Sequence, residues 1–312
     1  MSTEQRNING AAANVWWRRL LIGIPYSLLL LHSVQAQDTL PNNKARMRTL
    51  LVGQTVVYAG ALYGLSTAWY DNPLRGFRFF NDVGEWKQID KIGHVYTAYQ
   101  IARLSAQGYR WAGETPKKAA LYGALTGFIF QTPIEILDGF SPDYGFSVGD
   151  IVANTLGAGL YAGQFALWEE ERLQLKFSYH NTPLAAVRPN LLGRSWNERW
   201  LKDYNGQTYW LSANVASFLP KSTRSDTRFP RWLNVAVGYG IHDMVAADPA
   251  QSIERGFRPY RQYYLTLDVD FTRIPTRRKG VRTLLFLLNT LKMPAPTLEF
   301  SRNGFRGHWL YF

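Results

Sequence analysis

Apolar positions gather first into long uncharged runs and then, from about residue 177, into short alternating ones. The earliest run, LLIGIPYSLLLLHSVQA, follows Arg18 and Arg19 and closes with Val34 and Ala36 at the positions a signal peptidase reads. It predicts a signal peptide over 1–36, export, and a mature chain from near Gln37. The competing reading is a retained amphipathic anchor, because the stretch before Arg18 is long for the charged part of a signal. A polar linker over 37–48 leads to TLLVGQTVVYAGALYGLSTAWY, which carries no charge for 22 positions. That length spans a bilayer, yet Gln54, Thr55, Ser66 and Thr67 dilute its hydrophobicity, so a packed helix associated with a membrane is expected.

Three further helices follow from pattern and punctuation. DKIGHVYTAYQIARL places Asp90 and His94 one turn apart near the start of a largely apolar helix. In ETPKKAALYGALTGFIF, Thr115 is the expected N-cap and Pro116 the first helical residue, with an uncharged body over Ala119–Ile134. Pro133 is expected to kink or end that helix, with Glu135 and Asp138 just beyond. Gly139 and Pro142 mark a loop, and SVGD reads as a capping box opening a helix that runs through Asn154, Gly157 and Gly159 to about Trp168. Residues 49–172 therefore predict a Gly/Ala-rich bundle of about four helices whose small faces allow close backbone approach.

Residues 173–312 predict a smaller antiparallel strand-rich region. YNGQTYWLSANVASFL, RWLNVAVGYGI, YRQYYLTLDVDFTRI and APTLEFSRNGFRGHWLYF read as strands, and VRTLLFLLNTLKMP as one short helix. Leu233, Val235, Val237, Tyr239 and Ile241 share one face, as do Tyr263, Leu265, Leu267, Val269 and Phe271. The fold class is α+β. The region reads either as a sheet packed on the helices or as an envelope-facing β structure. Leu310 and Phe312 resemble the end of an outer-membrane strand, but long alternating segments are too few for a closed transmembrane barrel.

Composition narrows the partners. With no cysteine among 312 residues, disulfides, thiol chemistry and a lipidated cysteine are excluded from this sequence. Removing residues 1–36 takes away three basic and one acidic residue and leaves a net charge of +10. That charge favours the envelope membrane, anionic lipid or glycan phosphate, and the C-terminal strands offer a surface to a protein partner. Basic residues are scattered without a nucleic-acid recognition motif.

The candidate chemistry lies in polar pairs that interrupt apolar helices: Asp90 with His94, Glu135 with Asp138, and Asp150 with Asn154. Desolvated carboxylates need a cation, which a metal ion, a histidinium or Lys91 can supply. Asp90, His94, Glu135, Asp138 and Asp150 are the candidate metal ligands. One histidine among carboxylates suits magnesium, calcium or manganese better than zinc. The metal-free alternative gives acid–base work to His94 and Glu135, with Asp90 orienting the imidazole. Lys91 and Asn154 are assigned to a structural polar network, and Asp150 is equally accounted for as a helix cap. No phosphate loop or GxSxG elbow occurs.

DKIGH at 90–94 together with EILDGFSPDYGFSVGDIVANTLGAG at 135–159 resembles the YfiM-type family of envelope lipoproteins, in its longer Bacteroidetes-like form, and is distantly similar to VanZ-like membrane proteins. The resemblance rests on Asp90, Lys91, His94, Glu135, Asp150, Asn154 and Gly157. It implies an exported protein on the periplasmic side of the envelope, associated with the outer membrane, and no established reaction. The chain departs from the lipoprotein pattern in lacking a lipobox cysteine, and from the VanZ-like pattern in adding a strand-rich region. The leading expectation is a structural or assembly protein of the envelope. The alternatives are a membrane-associated enzyme that processes lipid or glycan phosphates through the acidic and histidine cluster, and a ligand-binding or transport accessory.

Overall fold

The computed structural model describes residues 43–69, 72–220 and 229–312, so the expected leader and most of the linker lie outside the described residues. Four long helices come first: α1 (Lys44–Trp69), α2 (Ile89–Trp111), α3 (Pro116–Phe140) and α4 (Val148–Trp168). Thr115 caps α3 by accepting from the Lys118 amide, and Ser147 caps α4 by accepting from that of Asp150. Of the two outcomes expected at Pro133, an end is ruled out: α3 continues to Phe140 with Pro133 inside it. Proline removes one amide donor, and the turn beyond it is held by polar contacts of Glu135 and by the Ser141 amide bonding to the Asp138 carbonyl.

Helices α2, α3 and α4 meet backbone to backbone. A Cβ on Gly157 would fall well inside contact distance of the Val95 carbonyl oxygen, and one on Gly127 would lie 2.6 Å from the Ala98 carbonyl oxygen. Tyr99, Ala102, Ala106, Ala120, Ala158 and Tyr161 fill the seam between them. The outer faces are apolar and exposed: Leu121, Leu125 and Ile129 on α3, and Val152 and Leu156 on α4. Both α1 and α3 are long and apolar enough to cross a membrane.

Six strands form an antiparallel meander in chain order: β1 (Leu173–Tyr179), β2 (Gln207–Asn214), β3 (Leu233–His242), β4 (Tyr260–Val269), β5 (Ala295–Ser301) and β6 (Gly304–Tyr311). The first is an addition to the expected strands. Its outer edge is occupied by the segment Thr290–Lys292, which exchanges backbone hydrogen bonds with Phe177. Six short helices punctuate this region: α5 (Leu184–Val187), α6 (Pro189–Leu192), α7 (Trp196–Lys202), α8 (Val215–Phe218), α9 (Pro249–Glu254) and α10 (Lys279–Leu288). The described residues thus contain ten α-helices, not about four with one short addition. Five of the six short ones have at most seven residues, too few turns for an apolar period to register.

The sheet curls until distant strands touch. The Tyr311 hydroxyl on β6 donates to that of Tyr264 on β4 at 2.7 Å, and Lys176 Nζ on β1 reaches Asp268 Oδ2 on β4 at 2.7 Å. The enclosed face is largely polar: Lys176, Ser212, Asn214, Asn234 and Asp268 are buried there beside a small cluster of Trp210, Ala236 and Tyr264. The opposite face, bearing Val237, Leu265, Leu267 and Phe300, is 40–57% exposed. An antiparallel sheet with one wet face normally buries its apolar side; this one buries the polar side. The interior persists because its charges are paired, with Lys176 and Lys292 flanking Asp268 and Ser212 donating to it.

The two regions are stitched along α2. Buried Arg103 pairs with Glu171 at 2.9 Å, and Gln100 Nε2 donates to the Leu175 carbonyl. Trp86 and Ile89, at the entry to α2, pack with Leu184, Leu192, Met244 and Val245.

Gly157→Ala should lower stability by about 1–3 kcal/mol through overpacking against Val95. Gly159→Ala, where nothing lies within 4 Å of an added Cβ, should raise it by about 0.5–1 kcal/mol. Denaturant unfolding of the pair checks the close seam. Lys176→Met should cost about 3 kcal/mol in the same assay by leaving Asp268 with Lys292, 3.7 Å away, as its remaining cation, whereas Leu267→Gln on the outward face should change stability by less than about 0.5 kcal/mol.

Candidate functional site

The approach to α2 is strained. Trp86, Lys87 and Gln88 take φ of 45°, 48° and 68°, three successive non-glycine residues in the left-handed region. Such residues cost about 1–2 kcal/mol each. The turn is held by the Trp86 amide donating to the Ala247 carbonyl at 2.8 Å, by the Tyr239 hydroxyl donating to the Lys87 carbonyl, and by the packing of Trp86 and Ile89. Directly after it, Asp90, Lys91 and His94 occupy the first turns of α2.

The structure brings Asp90, Lys91 and His94 together with Glu135 of α3 and Asp150 and Asn154 of α4. Lys91 Nζ lies 2.6 Å from Asp82 Oδ2, 2.6 Å from Asp150 Oδ1 and 3.1 Å from Asp90 Oδ2. His94 Nδ1 is 3.2 Å from both Glu135 Oε1 and Asn154 Oδ1, and Nε2 is 3.5 Å from Asp150 Oδ1 and 4.0 Å from Asp90 Oδ1. Asn154 is held in turn: its amide donates to Glu135 Oε1, and its oxygen accepts from Gln131 Nε2. Glu135 is 1% exposed, whereas His94 and Asp90 are 22% and 24% exposed. The imidazole therefore has an interior side, facing Glu135 and Asn154, and a second side facing buried Asp150 and the partly exposed Asp90.

Three residues of the constellation gave no signal in the sequence. Asp82 anchors Lys91 and accepts from the Ser147 hydroxyl at 2.6 Å, Gln131 orients Asn154, and the Tyr204 hydroxyl donates to Asp90 Oδ1 at 2.6 Å. Asp138 is not brought in; it sits half-buried one turn past Glu135. Asp150 is only partly explained as a cap, since its amide serves the cap while its carboxylate is turned to Lys91 and His94.

Burial opposes the charge on His94, but its hydrogen bond to Glu135 and the charges of Asp90, Glu135 and Asp150 prevail and raise it to about 10. Burial lifts Asp150 to about 7, with His94 pulling the other way and the carboxylates of Asp90 and Glu135 adding to the rise. For Asp90, burial acts upward, yet His94, Lys91 and the Tyr204 hydroxyl together hold it below the usual carboxylate range. At neutral pH the centre therefore contains a histidinium beside a carboxyl group that exchanges its proton readily.

Asp90, His94 and Asp150 place ligand atoms within 4.8 Å of one another. Two carboxylates and an imidazole suit a hard divalent cation. Glu135 Oε2, buried and with no hydrogen-bond partner among the described residues, adds a negative oxygen close by. The Lys91 ammonium already stands against the Asp90 and Asp150 carboxylates, so a divalent cation there competes with Lys91 and with the His94 proton.

Residues 78–165 match the family model described as "Predicted periplasmic lipoprotein (DUF2279)". The matched span holds every charged member of the centre, and most of the strand region lies beyond it. The match supports a periplasmic, envelope-associated protein and a likeness at that coarser level; it lends no support to the YfiM-type or VanZ-like names. A cysteine lipid anchor, implied by that description, has no acceptor in these 312 residues. No curated protein and no solved structure matches the chain.

The shifts fix the sign of a pH dependence. Asp150 and His94 both have folded values above their ordinary ones, so each contributes stability that is complete below its unfolded value and is lost as pH rises through its folded value. Asp90 works in the opposite sense, but only at acid pH. With chelator present, the unfolding free energy should fall from about pH 5 to about pH 9.5, with Asp150 responsible for the part up to about 7 and His94 for the part above about 6.5. His94→Asn should flatten the upper part. Urea unfolding across this range checks it; a level wild-type profile above pH 7 would refute a charged His94.

Proposed function

We propose that the protein is an exported enzyme, seated on the periplasmic face of the outer membrane, that hydrolyses phosphate esters carried by lipid or glycan. The observation that carries this reading is the two-sided setting of His94. Its Nδ1 faces the Glu135–Asn154 pair, while Nε2 points to two carboxylates, of which Asp150 is buried and Asp90 lies at an edge that solvent can reach. An orienting group behind an imidazole, with an exchangeable proton in front, is the arrangement acid–base catalysis requires. A purely architectural network makes the same contacts but has no need to leave that edge open.

In this reading Glu135 positions the ring and Asp90 faces the substrate, the reverse of the roles their sequence positions suggest. Asp150, as a carboxylate, takes a proton from the attacking water while the water oxygen bonds to phosphorus. His94 gives its Nε2 proton to the ester oxygen as the P–O bond breaks. Lys91 is a positioning residue that keeps Asp82, Asp90 and Asp150 in register. Four carboxylates against two cations make the centre anionic, which opposes a bare phosphate. A divalent cation held by Asp90, His94 and Asp150, as a second reading favours, would neutralise that repulsion and polarise the phosphoryl oxygen.

The test is phosphate release from alkyl phosphates and diphosphates of graded chain length, with and without magnesium, manganese or calcium. His94→Asn and Glu135→Gln should each lower kcat by about 10²–10⁴-fold. Titration calorimetry with the metal alone separates the two readings: binding with proton release that is lost in Asp90→Asn supports the cation, and turnover in chelator supports metal-free catalysis. No turnover of any member of the panel would return the cluster to an architectural role.

A further inference from the structure

A groove of about 560 Å³ runs along α2 on a side away from the charged centre. One wall is Ile92, Val95 and Tyr96; the other is the apolar outer face of the sheet, with Val237, Leu265 and Phe300. The lining is almost wholly carbon, and the size is typical of small-molecule sites, about 300–1,000 Å³. Tyr239 and Tyr263 also line it and meet edge to face.

Polar groups mark one end. Arg261 donates through Nε to the Tyr239 hydroxyl at 3.1 Å and through Nη2 to Gln88 Oε1 at 2.6 Å. The Tyr239 hydroxyl bonds to the carbonyl of Lys87, whose ammonium is held below its usual pKa by burial and by the nearby Arg261 charge. Neither cation forms an ion pair among the described residues, and the repulsion between them is what an anion would relieve. The sheet wall of the groove is itself partly exposed, with Val237, Leu265 and Phe300 at 40–51%, so an aliphatic chain can reach it from outside.

We infer that this groove binds the alkyl chain of a phosphate-bearing lipid, with the headgroup between Lys87 and Arg261 at the start of α2. Charge complementarity at the rim selects an anionic amphiphile over a neutral one, and the dry walls select a chain over a free phosphate ion. The inference rests on the proposed function for its ligand class alone: a headgroup between Lys87 and Arg261 is held away from His94, so the groove is a lipid-binding site distinct from the place where an ester is cleaved. The groove and the acid–base centre are built on the same turns of α2, with Ile92 between Asp90 and His94 in sequence.

The experiment is calorimetric titration of the full chain with dodecyl phosphate below its micelle concentration, with a neutral dodecyl glycoside and inorganic phosphate as comparators. Dodecyl phosphate should bind at a single saturable site, more tightly than the glycoside, and inorganic phosphate should not compete. Val237→Trp and Leu265→Trp, which fill the groove from paired positions of β3 and β4, should each weaken it about tenfold or more. Arg261→Gln should weaken dodecyl phosphate about tenfold and leave the glycoside unchanged. Melting curves confirm folding, and Val237 and Leu265 are exposed enough for two independent variants to be usable. Unchanged affinity in folded Val237→Trp and Leu265→Trp proteins, equal affinity for the neutral chain, or a groove closed by a second copy in sedimentation would each overturn the inference. His94→Asn keeps the groove intact and should bind dodecyl phosphate as the wild type does; a wild-type chain that binds without turnover refutes the catalytic reading alone, and turnover without saturable groove binding refutes the groove alone.

Discussion

Four carboxylates, those of Asp82, Asp90, Glu135 and Asp150, can share one place out of water only because Lys91 and His94 stand among them. Taking a carboxylate out of water without a partner carries a penalty of several kcal/mol, so the separations between these groups set how closely the helices must lie. That closeness comes from Gly123, Gly127 and Gly157, whose missing side chains let α3 and α4 rest against the backbone of α2. The small-residue faces and the ion cluster depend on each other. A bulkier seam would separate Lys91 from Asp150, and an unbalanced cluster would drive the seam apart.

Much of this was legible in the chain because charges that interrupt uncharged runs at helical spacing have few places to go. Asp90, His94, Glu135 and Asp150 stood out on that ground, and caps at Thr115 and Ser147 placed the helices that carry them. Asp138 shows the limit of spacing: a residue three places on is rotated about 60° around the helix from Glu135, enough to leave the buried side. Asp82, Gln131 and Tyr204 were silent for a different reason. Each is an ordinary polar residue whose partner lies far away in sequence, and no periodicity marks it.

The strands repeat the lesson. Alternation separated two faces over Leu233–Tyr239 of β3 and Tyr263–Val269 of β4, while Phe271 lies beyond the strand in a short 3-10 turn and Ile241 is buried; alternation alone does not say which face is covered. The outcome depends on Lys176, Asp268 and Lys292, contributed by β1, β4 and the segment after α10, which pair only once the sheet has curled. With the polar face closed on itself, Val237, Leu265 and Leu267 are exposed, as are Leu125, Ile129 and Leu156 of the bundle. Two regions of different secondary structure thus share an apolar exterior. For a chain on the periplasmic side of the envelope, the abundant apolar medium is lipid.

The sheet also governs the charged centre, through α2. Tyr204, just after α7, fixes one oxygen of Asp90, and the Tyr209 ring lies so near Gly93 that a Cβ there would be 2.9 Å from its hydroxyl. Tyr239 and Arg261 hold the left-handed turn that sets the phase of α2, and with it the directions in which Asp90, Lys91 and His94 project. The bundle supplies the carboxylates and the seam, but the angle at which α2 presents its cations to them is set from the β side. The strand-rich region is therefore structural support for the site as well as a surface, and the family match, which ends at residue 165, covers the charges without most of the framework that aims them.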